Sequence, residues 1–136
     1  MSECIFCKII NKEIPAEIVY EDANALGVLD IHPRGPGHTT ILPKFHAETI
    51  INLPEEKIGS VFKAVRSMVE RLNSALRPDG FTIGINHGLA AGQAVPHLHV
   101  HIIPRYKNDG GVSLQALVDN PPKESLRSIK EKIVKI

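Results

Sequence analysis

Three histidines alternate with apolar residues in the C-terminal part of the chain. His97, His99 and His101 are each separated by one apolar residue. Successive side chains of a β-strand point to opposite faces of a sheet, so this spacing predicts three imidazoles on one face. An imidazole can act as a nucleophile near neutral pH, carry a proton or bind a metal ion. The opposite face, packed in the core under a helix, would consist of Leu98, Val100 and Ile102.

Three interpretations of this strand compete on residue type alone. The strand could be a solvated face that is rich in histidine and has no chemical role. It could present ligands to a metal ion, as two histidines two residues apart on a strand commonly do. It could also act by covalent catalysis, in which one ring attacks and a neighbouring ring fixes its tautomer or protonates the leaving group.

A loop suited to anions precedes the histidine strand. The segment from Asn86 to Ala94 contains Gly88, Gly92 and Gln93 among small residues. Glycines let backbone N–H groups approach an anion closely, and the amides of Asn86 and Gln93 add donors. A small-residue loop alone is usually only a connection, but beside three histidines it favours chemistry on a phosphate group.

The only two cysteines, Cys4 and Cys7, form a C-x-x-C pair. In a reducing cytosol such a pair is more often a metal site or a redox site than a structural disulfide. The spacing would let both thiolates bind one tetrahedral ion. Two free, partly buried thiols are the alternative that involves no chemistry.

The bulk composition excludes several classes of protein. The 136 residues suffice for one compact domain, predicted to span residues 1–136. A net charge of +1 disfavours a binder of duplex nucleic acid, and 4% aromatic residues disfavour a stacking surface for single strands. The sequence contains no apolar run long enough to span a membrane and no recognisable secretory signal, so we expect a cytoplasmic location.

Residue patterns predict the elements that would position these groups. A long helix over 54–76 has one apolar face, and Asn52 with Glu55 forms a plausible capping pair. Strands joined by short turns, with this helix between the third and fourth, predict an α+β domain with a five-stranded antiparallel sheet. The apolar face of the long helix consists of Ile58, Val61, Phe62, Val65, Met68, Val69 and Leu72. The other predicted elements are a helix over 4–11, strands over 17–21, 25–31, 38–43, 81–86 and 97–103, and a terminal helix after Pro122.

With these motifs in order, the chain resembles the nucleotide-binding branch of the histidine triad family. The likeness covers residues 4–105 and leaves 106–136 as a C-terminal extension. It is carried by the segments 97–103 (HLHVHII), 4–10 (CIFCKII), 13–16 (EIPA), 20–22 (YED), 29–31 (LDI), 36–38 (PGH) and 41–44 (ILPK), and by His46, Asn86, Gly92, Gln93 and Val95.

The resemblance implies that the protein cleaves a purine nucleotide of the AMP type at a phosphoramidate or phosphoanhydride bond. His99 would attack the α-phosphorus and form a nucleotidyl-histidine intermediate, which water would then hydrolyse. His101 would bind a phosphate oxygen and assist proton transfer. The carbonyl of His97 would orient the attacking ring, and His38 would occupy the family's fourth histidine position near the phosphate. No catalytic metal is expected.

The resemblance also assigns nucleotide-binding residues. Asp30 would accept hydrogen bonds from the ribose hydroxyls, although it could equally be a turn residue at the end of a strand. The base pocket would be lined by Phe6, Ile9, Val28 and Ile31, of which the first three could equally be plain core. The phosphate would be held by Asn86 and by the backbone of Gly92, Gln93 and Ala94.

A structural zinc ion and a homodimer follow from the same resemblance. In relatives with an N-terminal C-x-x-C, zinc is completed by a histidine after the Pro-Lys strand and by the first triad histidine. The ligand set would therefore be Cys4, Cys7, His46 and His97. Members of this branch pair their sheets and the helices between them, which predicts a homodimer.

One position departs from the family pattern, because Ala94 stands where Ser or Thr is common. In the family this hydroxyl would bond the phosphate or the leaving group. Its absence would cost about 1.5–3 kcal/mol if that bond is charge-assisted. Two other functions therefore stay open, which are a nucleotide-binding scaffold with little catalysis and a hydrolase that uses the histidines as metal ligands.

Overall fold

A computed structural model of the protein describes residues 3–135. Five strands form one antiparallel sheet in the order β1-β2-β3-β5-β4. The strands are β1 (Ile18–Glu21), β2 (Ala25–Leu29), β3 (Thr39–Pro43), β4 (Gly80–Gly84) and β5 (Val100–Arg105). The helices are α1 (Ile5–Ile10), α2 (Glu55–Leu76) and α3 (Leu126–Val134). This confirms the predicted α+β architecture with one long helix and a C-terminal helix.

The two faces of the sheet pack against different helices. Leu98, Val100 and Ile102 enter a core beneath α2, as their alternation predicts. On the other face, α1 lies over Leu26, Val28 and Leu42. The residues of α2 that are buried are Val61, Ala64, Val65, Met68 and Leu72.

The predicted apolar face of α2 is correct except at one position. Ile58 and Val69 are partly buried against the core. Phe62 is wrong as a core residue, since its side chain is 44% exposed. Phe62 shares the helical spacing of the stripe but is absent from the side chains that pack in the core under α2.

The histidine strand begins later than predicted. The spacing predicts a strand over 97–103, but β5 starts at Val100, so His97 and His99 lie in the irregular segment before it. Val100 pairs with Ile41, and continuing this register would place Leu98 opposite Pro43, which has no N–H to donate. The Leu98 N–H bonds the carbonyl of Ala47 instead, at 2.7 Å.

The start of α2 and the end of β2 also differ from the prediction, because side chains form hydrogen bonds with backbone groups there. The predicted Asn52–Glu55 capping pair is wrong, because the side-chain Oδ1 of Asn52 accepts from the N–H and hydroxyl of Thr49 and closes a single turn before α2. β2 ends at Leu29 rather than residue 31, since the Asp30 carboxylate accepts the N–H of His32 at 2.8 Å and starts a turn.

The C-terminal extension contains the predicted terminal helix. Ser125 caps α3 by accepting the N–H of Ser128, and Leu126 and Ile133 are exposed. Within residues 3–135, none of the helices has the length and apolar character needed to cross a bilayer.

Candidate functional site

Two cysteines and two histidines from distant parts of the chain meet between α1 and the end of β3. Their four ligand atoms all lie within 4.8 Å of one another. Nδ1 of His97 is 3.4 Å from Sγ of Cys4 and 3.6 Å from Sγ of Cys7, and Nδ1 of His46 is 3.3 Å from Sγ of Cys7. The two Nδ1 atoms are 3.1 Å apart.

The three sulfur–nitrogen distances fit a tetrahedral zinc ion, and the nitrogen–nitrogen distance is slightly shorter than the ideal edge. With zinc–nitrogen and zinc–sulfur bonds of about 2.0 and 2.3 Å, the edges of the tetrahedron measure about 3.3–3.8 Å. His97 is prepared to be a ligand, because its Nε2–H donates to the carbonyl of Pro43 at 2.8 Å and leaves the lone pair of Nδ1 facing the thiols. Both cysteines are free thiols, so the donor set is Cys₂His₂.

Burial shapes the acid–base properties of this cluster. Burial lowers the pKa of His97 to about 4, which keeps the ring neutral, as a metal ligand requires. Burial and the neighbouring thiol of Cys4 raise the pKa of Cys7 to about 11. A divalent cation between the two sulfur atoms would reverse this shift, because it stabilises the thiolate.

The middle histidine, His99, is held by the backbone. Its Nδ1–H donates to the carbonyl of His97 at 2.7 Å. A carbonyl can only accept, so the proton of the neutral ring lies on Nδ1 and Nε2 carries a lone pair. The ring is 7% exposed and makes an edge contact with Phe6, with the centroids 5.0 Å apart.

The third histidine, His101, forms a hydrogen-bonded pair with His38. Nε2 of His38 lies 2.9 Å from Nδ1 of His101, and Nδ1 of His38 accepts the backbone N–H of Arg34 at 3.0 Å. Because an amide can only donate, the proton of His38 lies on Nε2 and is shared with Nδ1 of His101. His101 then carries its own proton on Nε2. Burial lowers the pKa of both rings, which favours these neutral forms.

Asp30 completes a group of three potential ligand atoms with this pair. Its Oδ2 is 3.5 Å from Nε2 of His38 and 3.8 Å from Nδ1 of His101. The same oxygen accepts the hydroxyl of Thr40 at 3.3 Å. The 2.9 Å contact between the two rings is shorter than the edge of a metal tetrahedron (about 3.3 Å for two nitrogens) and is typical of a hydrogen bond.

Gln93 braces the loop that was predicted to bind phosphate. Its Oε1 accepts the N–H of Gly88 at 2.8 Å, and its Nε2 donates to the carbonyls of Glu48 and Val95. Gly88 and Gly92 have φ values of 88° and 96°, a region that glycine adopts without strain. A Cβ added at Gly92 would lie 3.9 Å from Nδ2 of Asn86, so this amide lies beside the loop.

The predicted base-pocket residues fall into two groups. Phe6 and Ile9 pack against Val28, which is buried. Ile31 is 81% exposed beyond the end of β2. The sequence did not indicate Arg34, whose backbone N–H donates to His38. Arg34 lies in the segment from His32 to Gly37, here named the 32–37 loop, whose prolines and glycines predict only a loop.

A family model and several known proteins match the chain in sequence. The family model of the HIT domain matches residues 11–108. An uncharacterised HIT-like protein of Methanocaldococcus jannaschii is 51% identical over 109 residues, which is 80% of this chain and 84% of that protein. The adenylylsulfatase HINT3 of Arabidopsis thaliana is 38% identical over 108 residues, which is 79% of this chain and 55% of that protein.

Solved structures share the fold. A HIT family protein from Bacillus subtilis superimposes with a TM-score of 0.87 at 37% identity, covering 98% of this chain and 96% of that one. A zinc-bound histidine triad family protein from Mycobacterium smegmatis superimposes with a TM-score of 0.75 at 33% identity, covering 95% and 89% of the two chains. The chain therefore belongs to the HIT domain family.

Proposed function

We propose that the protein cleaves a purine nucleotide phosphoramidate or dinucleoside polyphosphate through a covalent nucleotidyl intermediate on His99. The observation that carries the proposal is the orientation of His99. Its Nδ1–H is bound to the carbonyl of His97 at 2.7 Å, so Nε2 is the nitrogen with a free lone pair. A neutral ring fixed in this tautomer is a nucleophile that needs no prior loss of a proton.

The first step is an attack of Nε2 of His99 on the α-phosphorus. A nitrogen–phosphorus bond forms, and the bond to the leaving group breaks with its electron pair going to the leaving group, which takes up a proton from solvent. In the second step water attacks the same phosphorus and gives up a proton to solvent. The nitrogen–phosphorus bond breaks with its electron pair returning to Nε2 of His99, and the nucleoside monophosphate leaves. The carbonyl of His97 supports the positive charge that His99 carries in between.

Donors around the phosphate stabilise the charge that builds up on its oxygens. Nε2–H of His101 is one donor, since Nδ1 of this ring is engaged by His38. Asn86 and the backbone of residues 92–94 supply others. Asp30 accepts hydrogen bonds from the ribose, and the base lies against Phe6, Ile9, Val28 and Ile31.

Zinc is assigned to the cluster of Cys4, Cys7, His46 and His97. The tetrahedral fit of these atoms supports this, as does the zinc-bound relative from Mycobacterium smegmatis. With four protein ligands the ion is closed to substrate, so it supplies a fixed cross-link and no reactive water. The chemistry on phosphorus belongs to His99 and His101.

The test is trapping of the intermediate. The purified chain is incubated with an adenosine phosphoramidate, quenched in mild base and examined by intact mass. We expect an adduct of one adenylyl group on the wild type and none on His99→Ala. Adenylyl sulfate is run in parallel, because one relative is an adenylylsulfatase. Turnover that survives in His99→Ala would overturn the covalent mechanism.

A nucleotide-binding scaffold is the second candidate, and Ala94 favours it. No side-chain hydroxyl is available at this exposed position to assist the leaving group. Binding of AMP without an adduct or turnover, measured on the same wild-type sample, would support the scaffold. Loss of turnover on chelation, with the fold and AMP binding intact, would instead support a metal-dependent hydrolase.

The homodimer and the cytoplasmic location belong to the same proposal. β4 is an edge strand of the sheet, and Ile83 on this strand and Phe62 on α2 are 38% and 44% exposed. Apolar residues on a free edge and a neighbouring helix favour pairing with a second copy. Light scattering should give a mass of about twice 14.9 kDa, and a monomer would contradict this part.

A further inference from the structure

The 32–37 loop connects β2 to β3 and approaches the histidines from outside the sheet. Gly37 has a φ of 88°, and a Cβ added there would meet Cδ1 of Leu76 at 2.5 Å. The loop therefore lies close against the end of α2 at its last residue. Most of its other residues are exposed, so contacts at a few positions must decide its conformation.

One of these contacts is the backbone N–H of Arg34, which donates to Nδ1 of His38 at 3.0 Å. The N–H of His38 in turn donates to the carbonyl of Gly35 at 3.2 Å. The loop and the histidine thus hold each other. An amide N–H facing Nδ1 excludes a proton from that nitrogen, so it selects one of the two neutral tautomers of His38.

The choice of tautomer is passed on to His101. Nε2–H of His38 donates to Nδ1 of His101 at 2.9 Å, which leaves the proton of His101 on Nε2. If the Arg34 contact were lost, His38 could carry its proton on Nδ1 and accept from Nδ1–H of His101. Nε2 of His101 would then carry a lone pair, which repels phosphate oxygen, instead of a proton that it can donate.

A second contact comes from the start of the C-terminal extension. The hydroxyl of Tyr106 donates to the carbonyl of Pro36 in the same loop at 3.1 Å. Tyr106 is itself fixed, because its N–H donates to Oδ2 of Asp109 at 3.0 Å. Asp109 also accepts two bonds from the guanidinium of Arg105, at 2.7 and 3.0 Å. The phenol of Tyr106 therefore contacts the loop from a turn that the hydrogen bonds to Asp109 hold in place.

We propose that the Tyr106 hydroxyl and the Arg34 backbone amide are positioning groups that hold the His38–His101 pair in the tautomer that makes His101 a phosphate donor. Four hydrogen bonds connect Tyr106, the loop, His38 and His101, and two of them join the loop to His38. The effect on rate rests on the function proposed above. The effect on the position of the proton does not depend on it.

A purely structural role for Tyr106 predicts something different. Its bond to Pro36 lies at the surface, where water competes for both groups, so removing the hydroxyl costs little global stability. The readout must therefore be the tautomer itself. Ring ¹⁵N chemical shifts distinguish a protonated from an unprotonated nitrogen in histidine, and they report on both rings without any substrate.

The main test compares Tyr106→Phe with Tyr20→Phe in the full-length chain. Tyr20 is the other tyrosine of the chain, and its hydroxyl bonds Asp22 at 2.6 Å, away from the loop. In the wild type and in Tyr20→Phe we expect His38 and His101 protonated on Nε2. In Tyr106→Phe we expect a mixture of tautomers and a kcat lower by about tenfold, with KM changed less.

A second pair isolates the amide of Arg34. Arg34→Pro removes the N–H, whereas Arg34→Ala keeps it and removes only the side chain. We expect the proline variant to show mixed tautomers and the alanine variant to match the wild type. Zinc content and circular dichroism verify the fold, and Tyr106→Phe decides the question if the proline variant does not fold.

Wild-type tautomers and kcat in Tyr106→Phe would overturn the proposal. So would a change of equal size in Tyr20→Phe, since that would show a general response to losing a hydroxyl. If the wild type forms no nucleotidyl adduct, the proposed function fails. The ¹⁵N comparison still decides whether Tyr106 and Arg34 position the pair.

Discussion

His97, His99 and His101 differ in what each ring nitrogen contacts, although the sequence repeats them at equal spacing. Nδ1 of His97 faces two thiols, Nδ1–H of His99 bonds a carbonyl, and Nδ1 of His101 accepts from His38. Spacing on a strand predicts the direction in which a side chain points, but not which ring nitrogen of a histidine carries the proton. The proton depends on partners such as the backbone of Arg34, which lies more than sixty residues away in the sequence.

Ala94 gives a prediction about catalytic rate. A hydroxyl at this position would donate to the phosphate or the leaving group, a charge-assisted bond of about 1.5–3 kcal/mol. We expect Ala94→Ser to raise the rate of phosphoramidate cleavage by about ten- to a hundredfold. The measurement is steady-state turnover of an adenosine phosphoramidate. Ala91→Ser adds the same group elsewhere in the loop and should leave the rate unchanged; an unimproved rate in Ala94→Ser would argue against this role for the hydroxyl.

His38 gives a prediction about pH. Burial lowers its pKa in the folded protein, whereas the unfolded chain takes up a proton as the pH falls below about 6.5. The unfolded state then binds more protons, so the contribution of His38 to stability is present above this pH and is lost on acidification. Urea unfolding should show that the wild type loses more stability than His38→Gln between pH 7.5 and 5.

The control for this experiment is His87→Gln, which makes the same exchange at an exposed position. Working with the difference between two variants cancels the acid sensitivity of the metal cluster, which all three proteins share. Parallel loss of stability in the wild type and His38→Gln would contradict a buried neutral imidazole at position 38.

At the scale of elements, the start of β5 shows where local patterns fail. The alternation of His and apolar residues predicts a strand from 97, and the burial of Leu98, Val100 and Ile102 follows that alternation. The ladder nevertheless starts at Val100, because its neighbour β3 ends in Pro43. A strand needs a partner with free N–H groups, and the identity of that partner was not visible from the pattern itself.

The turn into β3 gives a prediction about stability. Gly37→Ala places a Cβ 2.5 Å from Leu76 and requires a φ of 88° from a residue with a side chain. We expect a loss of about 2–3 kcal/mol in the free energy of unfolding. Chemical denaturation measures it. Gly35→Ala is the matched control, because a Cβ there makes only an ordinary 3.6 Å contact, and it should be neutral or slightly stabilising.

At the scale of the whole molecule, a single sheet separates a long helix from a very short one. The long helix α2 was predictable because its apolar face repeats from Ile58 to Leu72, over about four turns. The helix α1 has six residues and none of its side chains is buried. A helix of this length is unstable alone, so its position must come from contacts that the sequence pattern does not show.

Those contacts are the packing of α1 over the sheet, the edge contacts of Phe6 with the histidines, and Cys4 and Cys7 in the metal cluster. Zinc would therefore connect the N-terminus to His46 after β3 and to His97 before β5. A bound ion would thus be linked to the ring of His99 through α1, since Phe6 on this helix makes an edge contact with that ring at a centroid distance of 5.0 Å. Removing the ion should act on the fold and on the rate through the same helix.

Zinc removal is thus expected to loosen α1 first. A metal assay should give about one ion per chain, and Cys7→Ser should lose it. Stabilisation by a bound ion is about 4 kcal/mol when free zinc is 1,000 times its Kd, so chelation should lower the free energy of unfolding by this order. Hydrogen exchange should increase in residues 4–11 while the α2 core stays protected, and adduct formation at His99 should slow. Readdition of zinc is the control, because it should restore all three; a metal-free protein with native exchange in α1 would show that packing alone holds this helix.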